Sequence, residues 1–263
     1  YASFIDGIAL MKGGPIDHFP AQPRLVYWWM CTFTVPGTAA NYLTALTRAH
    51  EWLNLIPQWN EQYCRRIYEG HERLVPHMPR PRFAIRRKLV KQLATWFESN
   101  HHQEMADICL LAYHGGFRAK SELLPATFRG PDSMWDVTRT NKLRVWLKTR
   151  KNRRHPTFIT RYCDCARNAF MCPHMPAERR VRDCIANNRA TLFTLSYSQA
   201  LTLLRKALQS LAIPHAESYA FHAFRRGLSQ DLLQAKTPLR DILAACDWSS
   251  NTFAWYLRRE QID

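Results

Sequence analysis

The chain of 263 residues has no run of about 18 apolar residues, which excludes a membrane-spanning helix from the expected elements. Its opening stretch, YASFIDGIALMKGG, lacks a basic leader followed by an apolar core and a small-residue cleavage site, so a soluble intracellular protein is expected. No glycine-rich P-loop pattern, internal repeat or low-complexity tract is evident. Acidic residues are scarce: 21 Asp and Glu stand against 37 Lys and Arg, a formal charge of +16. That imbalance points to a polyanionic partner, either nucleic acid or an acidic membrane surface.

What is present is a chain 46% hydrophobic, enough for one large domain or two modest ones with a proper core. Disorder is therefore not the expectation. The eight cysteines are irregularly spread over a chain far larger than a disulfide miniprotein. Reduced thiols, some of them binding metal, fit this distribution better than a disulfide scaffold.

Periodicity divides the chain. TAANYLTALTRAHEWLNL, residues 38 to 55, places Ala40, Leu43, Leu46, Ala49 and Leu53 at helical spacing, with Thr38 as its cap. QWNEQYCRRIYEGHERL predicts a second helix. VPHMPRPRF, residues 75 to 83, holds three prolines and predicts a linker, so the boundary is set near residue 80. Two helices follow it, AIRRKLVKQLATWFES and HQEMADICLLAYHGG, the second ending at a Gly pair just before Arg118.

In KLRVWLKTRKNRRHPTFITRY the period changes: Leu143, Val145 and Leu147 alternate with Arg144, Trp146 and Lys148, and residues 157 to 162 are β-prone. This predicts a β-hairpin whose basic tip carries Lys148, Arg150, Lys151, Arg153 and Arg154. The tip suits a grip on DNA, and as a basic run it also suits a nuclear-import signal. After an Arg-rich helix comes SQALTLLRKALQSLAI, capped at Ser196 or Ser198. Three helices close the chain: one from about residue 218 to 235, one with Thr237 as cap and Pro238 at its first position, and one from near Ser250 that holds Tyr256. The expected fold is mainly α: a helical, four-helix-like N-terminal domain over residues 1–80, and an α+β domain over 81–263 with a small antiparallel hairpin.

FHAFRRGLSQDLL, residues 221 to 233, concentrates the chemistry. Phe221, Phe224, Leu228 and Leu232 form its apolar stripe, and His222 and Arg225 fall together beside it. A guanidinium fork next to an imidazole suits a phosphate. Arg225 and Arg226 compete for that role, with the three-residue spacing from His222 favouring Arg225 and leaving Arg226 to touch a DNA backbone. Lys151 competes with Lys148 in the hairpin.

Taken in order, GGFRAKSEL, LKTRKN, HAFRR and DWSSNTFAWYL resemble the boxes of the tyrosine recombinases, the class of phage integrases, chromosome-dimer resolvases and crypton-type transposon enzymes. The likeness spans about residues 84 to 260. It implies a transesterase in which Tyr256 attacks a DNA phosphodiester, Arg118 and Arg225 stabilise the phosphorane, Lys151 protonates the leaving oxygen, His222 moves the phenol proton and Trp248 packs at the same phosphate. Arg150, Arg153, Arg154 and Arg226 would contact DNA. The implied partner is double-stranded DNA, bound by about four protomers on two duplexes, with no catalytic metal or nucleotide cofactor, in the nucleus if the source is eukaryotic. A type IB topoisomerase and a catalytically silent DNA-binding module use similar residues and stay as alternatives. The sequence also departs from the family: the acidic residue of the first box usually follows its Arg by three positions whereas Glu122 follows Arg118 by four, and the His box continues GLSQ instead of the commoner His-Ser/Thr or Gly-His runs.

CDCARNAFMCPH adds Cys163, Cys165, Cys172 and His174, a set able to hold a tetrahedral structural zinc, with reduced thiols in a loop insertion as the other reading.

Overall fold

The computed structural model describes residues 1–74, 83–138, 142–150, 155–246 and 248. The chain divides into two compact units, Tyr1–Arg80 and Pro81–Asp263.

Four helices build the first unit: α1 (Ala2–Lys12), α2 (Pro23–Cys31), α3 (Pro36–Trp52) and α4 (Glu61–Leu74). Proline opens both α2 and α3, where its fixed φ suits the helix and its missing N–H costs nothing. Helix α3 therefore begins two residues before Thr38, with Val35 and not Thr38 at the cap position. Val26, Trp29, Met30, Leu46, Trp59 and Cys64 form the core. His50 is buried among them; its Nε2 accepts from the Ala21 amide at 3.0 Å, so its Nδ1 carries the proton and donates to the Leu46 carbonyl at 3.0 Å.

The second unit opens with α5 (Arg87–Ser99) and α6 (Gln103–Gly115), followed by a π-helical turn (Ala119–Leu123). An antiparallel sheet of three strands comes next: β1 (Ser133–Thr138), β2 (Lys142–Leu147) and β3 (Thr157–Tyr162), in the order β1-β2-β3. The β2-β3 hairpin is the expected one, in register Lys142↔Tyr162 to Leu147↔Thr157. Strand β1 is an addition to the expected pair, held by the buried Trp135 and by Ser133, whose hydroxyl accepts from the Thr127 amide at 2.8 Å. Then follow α7 (Cys165–Asn168), α8 (His174–Ala186), α9 (Tyr197–Ser210), α10 (His222–Gln234) and α11 (Leu239–Cys246). The fold is mainly α with one small sheet.

Helix α6 lies at the centre, with Met105, Ile108, Leu111 and Ala112 all buried. Ser196, not Ser198, caps α9 through a reciprocal pair with Gln199. For α11 the carbonyl of Pro238 accepts from Ile242 at 3.1 Å, which puts Pro238 at the cap position expected of Thr237. Asp231 ties three elements together: it accepts from Arg86 Nε at 2.8 Å, from the Arg87 amide at 2.7 Å and from the Tyr113 hydroxyl at 2.6 Å. Gly227 lets α10 press directly on the backbone of Ile85, whose carbonyl oxygen would lie 1.8 Å from a Cβ there.

Candidate functional site

The first wall of the site is the end of α6. Gly116 stops the helix in the left-handed region at φ 59°, where glycine is at ease, and a Cβ on it would lie 2.8 Å from the Ala245 carbonyl oxygen of α11. Two residues on, Arg118 starts the π turn. Its carbonyl accepts from Leu123, and that of Ala119 from Leu124, both five residues ahead. The wider turn absorbs the additional residue between Arg118 and Glu122, so the pair still meets: Arg118 Nη1 donates to Glu122 Oε1 at 2.6 Å and its amide to Oε2 at 3.0 Å.

Arg150 grips the same carboxylate from the far side. Nε donates to Oε1 at 3.1 Å and Nη2 to Oε2 at 2.9 Å, a two-pronged geometry peculiar to arginine. Arg150 was expected on the exposed hairpin tip, yet it is only 6% exposed because Glu122 draws it inward. Burial pushes the Glu122 carboxyl up, but Arg150 and Arg118 outweigh burial and hold it below the usual carboxylate range.

Helix α10 and the end of α11 supply the opposite wall. Arg225 is buried, donates through Nη2 to the Cys246 carbonyl, and sits with its guanidinium 5.6 Å from the centre of the Trp248 ring. Burial lowers its pKa, and the positive charges of Arg118 and Arg150 lower it further. Three guanidinium groups are thus close enough to repel, and an anion bound among them would relieve that repulsion. The nearby Cys246 thiol is pushed up to about 12 by burial, against the pull of Arg225 and Arg161, so it stays protonated and is a poor nucleophile.

Arg161 was not foreseen. It points inward from β3, donating to the His114 carbonyl at 2.7 Å and the Ala245 carbonyl at 3.1 Å, and so bolts the end of α6 to the end of α11. A signal existed: in the hairpin register Arg161 pairs with Leu143 and shares the inward parity of Ile159, which marks a charged side chain on a core face.

Of the remaining expected residues, His222 is exposed in the first turn of α10, three residues before Arg225. Arg226 is buried and donates to the Phe83 carbonyl at 3.2 Å. Lys148 is exposed, 3.7 Å from Asp132. Lys151, Arg153, Arg154 and Tyr256 lie outside the described residues.

The cysteine-rich stretch forms a separate cluster beyond β3. The sulfurs of Cys163, Cys165 and Cys172 lie within 4.8 Å of one another. His174 opens α8, buried, outside that group of atoms, its Nδ1 3.8 Å from Glu178 Oε2.

The fold is similar to that of a solved transposon integrase. It is similar to the solved structure of the Tn1549 transposon integrase in complex with circular intermediate DNA, with a TM-score of 0.56 at 10% sequence identity over 98% of this chain and 90% of the integrase chain. It is also similar to a tyrosine-to-phenylalanine form of that integrase in complex with transposon right end DNA, with a TM-score of 0.57 at 12% identity over 97% and 86% of the two chains. No protein-family model and no curated protein sequence matches the chain significantly. At these identities the likeness is one of fold.

Proposed function

We propose that this protein breaks and rejoins double-stranded DNA by transesterification, as a recombinase of the tyrosine class with crypton-type transposon enzymes among its expected kin. The observation that carries this reading is the convergence of Arg118, Arg150 and Arg225 around Glu122, on a fold similar to that of an integrase solved with DNA. A charge of +16 supports a non-specific grip on the duplex through counterion release.

In the reaction, the phenol oxygen of Tyr256 attacks a backbone phosphorus, and the bond to the 5′-oxygen breaks. His222 takes the phenol proton and Lys151 gives one to the leaving oxygen, so a 3′-phosphotyrosyl link and a free 5′-hydroxyl result. Arg118 and Arg225 offer guanidinium donors to the phosphorane oxygens, and Trp248 packs against the Arg225 fork. Attack by another 5′-hydroxyl reverses the step. The energy of the phosphodiester is kept in the protein link, so the chemistry needs no nucleotide cofactor. Glu122 and Arg150 act as positioning residues: the carboxylate fixes Arg118, and Arg150 fixes the carboxylate. Recombination would place about four protomers on two duplexes, with the 1–80 unit and the catalytic unit both on the DNA.

The test is incubation of the protein with nicked duplex substrates, followed by denaturing electrophoresis. A covalent DNA adduct in the wild type, absent from Tyr256→Phe, is expected. No adduct with any substrate leaves a DNA-binding module. Relaxation of supercoiled plasmid by monomeric protein, without a specific site, would mark a topoisomerase instead.

A further inference from the structure

The cysteine cluster takes no part in the chemistry above. It also stands apart from the apolar core: Cys163 and Cys165 are only partly buried, Cys172 is fully buried, and none of the three belongs to the core cluster of the unit. The three come from different pieces of chain. Cys163 follows β3 directly, Cys165 opens α7, and Cys172 lies beyond the short 3-10 turn (Ala169–Met171), so the fold gathers them across a loop of ten residues, 163 to 172.

We propose that Cys163, Cys165 and Cys172 hold a structural zinc ion, with His174 as the fourth ligand. Tetrahedral zinc with Zn–S bonds of about 2.3 Å requires sulfurs about 3.8 Å apart. The Cys163 and Cys172 sulfurs are 3.6 Å apart, and all three lie within 4.8 Å of one another. Backbone donors already point at the sulfurs: the Asp164 amide reaches Cys172 Sγ at 3.3 Å and the Cys165 amide reaches Cys163 Sγ at 3.5 Å. Such N–H groups spread thiolate charge around a metal. His174, two residues after Cys172, is only 6% exposed, and its Nε2 has no hydrogen-bond partner among the described residues. A buried imidazole nitrogen without a partner is costly. Binding the ion would require the ring to turn away from Glu178 so that one of its nitrogens completes the tetrahedron. On binding, each thiol loses its proton to solvent and the histidine stays neutral.

The ion would clip the end of β3 to the start of α8. Arg161, which joins α6 to α11, lies two residues before Cys163, so the clip would steady the end of the strand that carries it. This inference does not depend on the transesterase reading.

The intact chain, purified without chelator, should carry about one zinc per molecule by elemental analysis. Replacing it with Co²⁺ should give thiolate-to-cobalt charge-transfer absorption and intense tetrahedral d–d bands. Cys165→Ser should fall below about a tenth of an equivalent while Cys31→Ser, at an exposed cysteine, keeps the full amount. Because a cysteine variant can fail to fold, the wild type is also treated with a strong chelator: release of zinc in step with three thiols becoming reactive to maleimide supports the site. His174→Ala should keep the charge-transfer band and change the d–d envelope; an unchanged envelope removes His174 from the ligand set. Folded wild type with less than about a tenth of an equivalent of zinc and no cobalt–thiolate band, or with a Cys163–Cys172 disulfide in its mass spectrum, overturns the proposal.

Discussion

Arg150 holds both oxygens of Glu122, at 3.1 and 2.9 Å, while Arg118 shares the first of them at 2.6 Å. One buried carboxylate thus positions two guanidinium groups, one from each side of itself.

Glu122→Gln should therefore destabilise the protein by about 3 kcal/mol at neutral pH, since it removes the carboxylate that neutralises the Arg118 and Arg150 guanidinium groups. The cost should depend on pH with a defined sign. Glu122 titrates below the ordinary carboxylate range in the folded protein. Its contribution is fully present above the unfolded pKa near ~4.3 and disappears as pH falls through the lowered folded value. Urea unfolding of wild type and variant should converge only in strong acid; a constant gap down to that range contradicts this.

His114 gives a second pH signature. Burial, helped by Arg87 and Arg161, lowers its pKa from 6.5 to about 4. The unfolded chain then binds a proton that the folded chain refuses, so stability should drop by roughly 1.4 kcal/mol per pH unit between those two values as the medium is acidified. In His114→Gln that slope should be missing. An identical slope in the variant would place its origin elsewhere.

Gly116 and Gly13 both have positive φ, 59° and 73°, but only Gly116 has a neighbour in the way. Alanine at Gly13 should cost about 1 kcal/mol, the strain of the left-handed conformation alone. At Gly116 the Cβ must also push back the Ala245 carbonyl, next to the Cys246 carbonyl that holds Arg225, so thermal stability should fall further and strand cleavage should fall with it. Equal melting shifts in the two variants would argue against the close approach of α11.

Arg225 and Arg226 are adjacent and separable. Arg225→Lys keeps a charge but loses the planar fork, and cleavage should drop at least about 100-fold with the fold retained. Arg226→Lys weakens the strut to Phe83. It should lower the melting temperature while cleavage of the folded fraction persists. The reverse pattern would exchange their roles.

Much of this was legible because it is periodic. The alternation of Leu143, Val145 and Leu147 declared β2, the stripe of Phe221, Phe224 and Leu228 declared α10, and the glycine pair marked the end of α6. Strand β1 escaped because its anchors are a single buried Trp135 and a serine hydroxyl, not an alternating run. The inward turn of Arg150 escaped for a different reason: its partner, Glu122, is 28 residues away, and nothing local distinguishes it from its basic neighbours. The same holds for Arg226, whose acceptor at Phe83 is 143 residues distant. The four-residue step from Arg118 to Glu122 was visible, but only the π turn shows how the chain accommodates it.

The most direct measurement is the identity of the linked residue and of the DNA end it carries. Covalent complex trapped on a nicked duplex is digested with protease and nuclease and sequenced by mass spectrometry. Transesterification by this chain predicts one modified peptide, spanning Tyr256 and bearing a 3′-phosphate linkage, with free 5′-hydroxyl on the released strand. A linkage through another residue, or to a 5′-phosphate, would contradict it.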